Sequence, residues 1–128
     1  MVQKETWVHI IDNTNVNWVK TFHLYKGFFR KWTAGGFFIK GSARLVEPPR
    51  QEYKGFKYKF SIKGDICRVW LARTCYKQRT RAGHNISFPE NTGFLIKKKS
   101  DPKSKFINGP SLKLLKRKKF TTLFRKVI

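Results

Sequence analysis

Few side chains in this sequence could do acid–base chemistry. His9, His23 and His84 titrate nearest to neutral pH and are the natural proton carriers. A ribonuclease-like His/Lys pair, one group taking a proton and the other giving one, is open to them. His9 and His23 become neighbours if an opening hairpin brings them together; the alternative is three satisfied structural histidines. No Gly-rich phosphate loop, HExxH motif or pair of carboxylates suited to acid–base work is present. Cys67 and Cys75 lack the paired spacing of a zinc site and do not make a disulfide framework. They read as reduced core or edge residues, so no metal and no cofactor is expected.

The other chemistry is charge. The 128 residues carry 29 Lys and Arg against 7 Asp and Glu, a formal net charge of +22. Self-repulsion on that scale opposes compaction, so the chain calls for a polyanion, either nucleic acid or an anionic membrane surface. The cations fall at predicted turns or in the tail: Arg30-Lys31, Arg50 to Lys59, Arg73 to Arg81, Lys97 to Lys99 and Lys116 to Lys119. Loops at one end of a barrel can converge on a curved polyanion, and each neutralised phosphate releases counterions. Rings alternate with cations in Phe28-Phe29-Arg30-Lys31-Trp32 and across 53–60, which suits stacking on unpaired bases. A membrane-surface binder would need an amphipathic helix with a broad apolar face, which 111–120 approaches poorly. No run of apolar residues is long enough to span a bilayer, so no membrane insertion is expected.

These side chains need a scaffold, and the sequence predicts one domain over 1–128. Hydrophobic residues make up 40%, enough for a core. Short strands separated by turns fill residues 1–96. Asp12 to Asn15 is a turn joining a strand over 7–11 to one over 16–24, with Trp18, Phe22 and Leu24 on one face. Ala34-Gly35-Gly36 and Lys63-Gly64-Asp65 are further turns, Glu47-Pro48-Pro49 is a stop, and Ile66 to Thr74 is the clearest strand. The segment 49–62 reads as an extended loop or hairpin. From Lys97 onward come 12 basic residues and one acid, Asp101. Gly109-Pro110 is placed to open a short helix with Leu112 and Leu115 on one face. The expected fold is all-β: a small five-stranded antiparallel β-barrel with a short C-terminal helical extension in a basic part, 97–128.

Several ordered blocks carry a family resemblance. Met1 to Thr6, Asp12-Asn13, Gly27 with Arg30-Lys31-Trp32, and Lys63-Gly64-Asp65 leading to Arg73-Thr74 form the first series. Gly83, Phe88, Asn91, Phe94 to Ile96, then Ile107, Gly109-Pro110, Leu115-Lys116 and Lys119-Phe120 complete it. The chain resembles the universal large-subunit ribosomal protein family, number fourteen, over nearly its whole length. The resemblance implies a five-stranded barrel and a non-enzymatic structural role. It implies binding to large-subunit rRNA, contact with neighbouring large-subunit ribosomal proteins, and a bridge to small-subunit rRNA. In many systems a ribosome-silencing factor docks on this family's protein. The chain departs from the family pattern at Asn15 to Trp18, Phe37, Ala82, Asn108 and Leu114, and is longer over 49–62. That drift, with Phe- and Lys-rich composition, points to a mitochondrial rather than a plastid ribosome. Alignment of the family's start with Met1 leaves no room for a presequence, so an organelle-encoded gene is expected.

The residues expected to hold rRNA phosphates are Arg30, Lys31, Arg44, Arg73, Lys77, Arg79, Arg81, Lys105, Lys113, Arg117 and Lys118. Gly27, Gly64, Gly83 and Gly109 are expected to supply backbone geometry. The competing expectation is a small basic RNA-binding protein or ribonuclease outside the ribosome.

Overall fold

The computed structural model describes residues 1–25, 27, 29–48, 61–97, 101–104, 107–111, 118–124 and 126–127. In chain order the strands are β1 (Val2–Gln3), β2 (Trp7–Ile10), β3 (Val16–His23), β4 (Trp32–Thr33), β5 (Phe38–Val46), β6 (Ile66–Arg73), β7 (Gln78–Arg79), β8 (Asn85–Ile86), β9 (Thr92–Leu95), β10 (Pro110–Ser111) and β11 (Lys126–Val127). Strands β2-β3-β5-β6-β9 close into a barrel.

The barrel is mixed, not wholly antiparallel as expected. Neighbours alternate in direction from β2 through β3, β5 and β6 to β9, and the closing pair β2–β9 is parallel. Five is odd, so a ring of alternating directions must contain one parallel seam. The seam runs through His9↔Thr92 and Ile10↔Gly93.

Alternation along the strands turns one face of each into the barrel. Val8, Ile10, Val16, Val19, Ile39, Ala43, Cys67, Val69, Leu71 and Leu95 fill it. Val2 from β1 and Leu24 just after β3 join the same cluster. The expected inward face of β3 is corrected here. Register shifts between Val16 and Trp18, Trp18 and Val19, and Thr21 and His23 break the period of two. Val19, Thr21 and Leu24 are therefore buried, while Phe22 is exposed and Trp18 half-buried.

A second core lies outside the barrel. Phe38, Trp70, Phe94 and Ile96 are packed with Phe120 and Phe124 from the C-terminal part. Trp70, fully buried, sits 5.2 Å from Phe94 and 5.3 Å from Phe120 between ring centroids. This cluster fastens the end of the chain to the outer face of β5, β6 and β9.

The C-terminal part also departs from expectation. Pro110–Ser111 opens a strand, not a helix, pairing in parallel with Lys126–Val127. Among the described residues the helical element here is a 3-10 helix, Lys118–Leu123. The face expected for Leu112 and Leu115, and residues 49–60 of the loop or hairpin expected over 49–62, lie outside the described residues.

Candidate nucleic-acid interface

Among the described residues, the connection from β6 to β9 brings several exposed cations together. β7 and β8 pair through Gln78↔Ile86 and Arg79↔Asn85 to make a two-stranded ribbon. Its tip is closed by Thr80 N–H to His84 O at 2.7 Å, Gly83 N–H to Thr80 O at 3.0 Å and His84 N–H to the Thr80 hydroxyl at 3.1 Å. Gly83 adopts φ +86° at the turn. Lys77, Arg79 and Arg81 are all exposed on this ribbon. Residues 74–89 contain no acid, so nothing along it neutralises them.

Arg73 roots the ribbon at the end of β6. Its Nε donates to the Thr92 hydroxyl at 2.9 Å. Its guanidinium occupies the space that a side chain at Gly109 would need, and Gly109 adopts φ +87°. Partial burial lowers the Arg73 pKa, and Glu90 nearby pulls it back up; an arginine stays cationic throughout. The side chain borders a cleft of about 420 Å³ shared with His9, Asn17, Glu90, Thr92 and Asn108.

At the same end of the barrel stands the 27–33 turn. Arg30 Nε donates to Trp32 O at 3.1 Å and its Nη2 to the Thr33 hydroxyl at 3.2 Å, and the guanidinium lies 4.9 Å from the Phe37 ring centroid. Arg30 thus shapes its own turn, leaving Lys31 exposed beside Phe29 and Trp32, which are 90% and 52% exposed. Phe37 is tied to Leu71 by a backbone bond of 3.0 Å, so this turn and Arg73 share one end.

The remaining expected cations are dispersed. Arg44 is exposed on β5 near the opposite end, beside the Lys63–Gly64 turn, where Gly64 N–H donates to Ala43 O at 2.8 Å. Lys118 opens the 3-10 helix. Lys105, Lys113 and Arg117 lie outside the described residues, as do residues 50–59, 98–99 and 116 of the cationic runs. Gly27 and Gly64 have positive φ, +115° and +93°. Three half-buried cations within strands, Lys20, Lys40 and Arg68, stand outside the turns where the sequence places the phosphate-holding residues. At Lys40 and Arg68 the signal was a lone cation at an outward position between apolar neighbours.

The histidines are not brought together. His9 pairs across the hairpin with Trp18, five residues from His23, or about 16 Å along the strand. The His9 ring stacks on Trp18 at 5.0 Å between centroids, and its Nδ1 lies 3.2 Å from Glu90 Oε2. His23 Nδ1 accepts the Tyr25 N–H at 3.2 Å. Each is engaged separately, so the expected His9/His23 proximity does not exist. Among the described residues no cluster of His, Cys, Asp and Glu could hold a metal. Cys67 is buried and Cys75 exposed, both free.

An exposed cationic ribbon has the charge to suit polyanions in general, and sequence comparison shows what the chain is similar to. A family model described as "Ribosomal protein L14p/L23e" matches residues 1–126. A relative from Tetrahymena pyriformis, "Large ribosomal subunit protein uL14m", is 36% identical over 124 residues, covering 97% of this chain and 97% of that protein. The chain belongs to the L14p/L23e family of ribosomal proteins and is a structural, non-enzymatic component of the ribosome.

Proposed function

We propose that this chain is a constituent of the large subunit of a mitochondrial ribosome, in the matrix, where it binds large-subunit rRNA through phosphate contacts. The large-subunit and mitochondrial parts of this reading come from the name of the Tetrahymena relative, which aligns with nearly the whole chain. The observation that carries RNA binding is the β7–β8 ribbon, with Lys77, Arg79 and Arg81 exposed and no acid over 74–89. Phosphate contacts of this kind fix position and orientation without reading sequence. Phe29 and Trp32, exposed beside Lys31, add rings able to stack on unpaired bases. Neighbouring large-subunit proteins, small-subunit rRNA across a bridge and a ribosome-silencing factor are the further partners this reading implies. An organelle-encoded gene fits the Phe- and Lys-rich composition.

The test is a salt titration of the full chain on a transcript of its cognate large-subunit rRNA. Lys77→Gln, Arg79→Gln and Arg81→Gln combined should lower the log–log salt slope by about 2 to 3, at roughly 0.7–0.9 per phosphate contact. An unchanged slope would remove the ribbon from the interface.

A further inference from the structure

A second row of basic side chains lies on the barrel strands, near the end where β3 finishes. His23 pairs with Lys40 on β3–β5, and Lys40 pairs with Arg68 on β5–β6. Directly paired residues share a face. Ile39, Cys67 and Val69, which flank Lys40 and Arg68 in sequence, are in the inner core, so the row faces outward. Three adjacent strands therefore present imidazole, ammonium and guanidinium side by side over two strand spacings, about 9.6 Å.

The row is held in place by rings. The Arg68 guanidinium carbon lies 4.4 Å from the Phe38 ring centroid and 5.5 Å from that of Tyr25. Tyr25 in turn meets His23 edge-on at 5.0 Å. Tyr25 adopts φ +57°, a conformation costly for an aromatic residue, which the surrounding contacts sustain. His23 Nδ1 accepts the Tyr25 N–H, which leaves Nε2 as the donor nitrogen of that ring.

The cations of this row have their own partners missing. Arg68 Nε is buried without a hydrogen bond, and among the described residues the guanidinium lies over the rings of Phe38 and Tyr25. Among the described residues no ion pair is seen at Lys40 or Arg68. Oriented, half-buried and unneutralised donors across a strand row match an anion bearing several acceptor oxygens.

We propose that His23, Lys40 and Arg68 form a phosphate-binding row that holds a phosphodiester segment of rRNA against the outer face of β3, β5 and β6. The proposal rests on the rRNA-binding reading above and adds a second contact surface to it. The two are separable by experiment. The full chain is titrated with salt on the cognate large-subunit rRNA transcript, comparing wild type with Lys40→Gln, Arg68→Gln, Arg68→Lys and Lys63→Gln. Lys63 is exposed on a turn and controls for a single lost charge. Lys40→Gln and Arg68→Gln should each lower the log–log salt slope by about 1, with Arg68→Lys near wild type and Lys63→Gln having little effect. Lys40 has no ring support to lose, so Lys40→Gln keeps the test valid if Arg68→Gln fails to fold. Slopes for Lys40→Gln no lower than for Lys63→Gln, with wild type still bound, would overturn the row and leave the RNA reading intact. Failure of the wild type to bind the transcript would sink both.

Discussion

Asp12 shows what one carboxylate does in a chain with seven acids. One of its oxygens accepts the Thr14 N–H at 3.1 Å and the Thr14 hydroxyl, and the other accepts the Leu95 N–H at 2.9 Å. It joins the turn after β2 to the end of β9. Burial raises its pKa above 3.8, against the lowering effect of those hydrogen bonds. With the folded pKa raised, its favourable contribution is full below 3.8 and is lost as pH rises through the raised value. Asp12→Asn keeps the shape but supplies one acceptor oxygen where two are used. It should cost about 1–3 kcal/mol by urea denaturation, the usual cost of an unpaired buried amide. Subtracting the variant's stability from wild type at each pH should give a difference whose part due to ionisation falls from pH 4 upward. At Gly109 a methyl group would meet both a positive φ and the Arg73 guanidinium. Gly109→Ala should cost about 1–3 kcal/mol in the same assay and displace Arg73 from Thr92. The Asp12 to Asn15 turn was visible in the sequence as turn chemistry, and Gly109 as a position of special backbone geometry, though beside a helix start that the structure replaces with a strand. The role of Arg30 was not, because whether an arginine faces solvent or braces its own turn is decided by a carbonyl two residues on.

At the scale of elements, aromatic rings fasten the described C-terminal residues to the barrel. Phe120 meets Trp70, Phe94 and Phe38 at 5.3, 5.4 and 6.4 Å between centroids. Phe120→Ala should destabilise by about 3–5 kcal/mol, the range for truncating a buried aromatic. It should also expose the C-terminal part to limited proteolysis before the barrel is cut. The strands themselves were legible from turn residues and alternation, and the β2–β3 hairpin and the clear strand at 66–73 stand where the pattern put them. The facing of β3 was not legible. Three register shifts within eight residues reverse the side chains, and a bulge leaves no mark on local composition. Pro110 was misread for a related reason. Proline suits both a first helical turn and the start of a strand, and its partner Lys126 lies 16 residues away.

Over the whole molecule, +22 on 128 residues has to be balanced by something outside the chain. Raising salt from about 0.01 M to 0.5 M shrinks the Debye length from about 30 Å to about 4 Å. The melting temperature of the isolated protein should therefore rise with salt, opposite to its affinity for rRNA. Charge called for a polyanion, and the ordered blocks made the ribosomal protein family legible; the juxtaposition of Lys40 and Arg68 needed coordinates, since they meet only through strand pairing. The most direct test of a ribosomal role is sedimentation of native organelle lysate on a sucrose gradient, following this chain by mass spectrometry. Co-migration with the large subunit and with monosomes, released by high salt only as the rRNA unfolds, is the expected result. Recovery in light fractions, or with membranes, would contradict it.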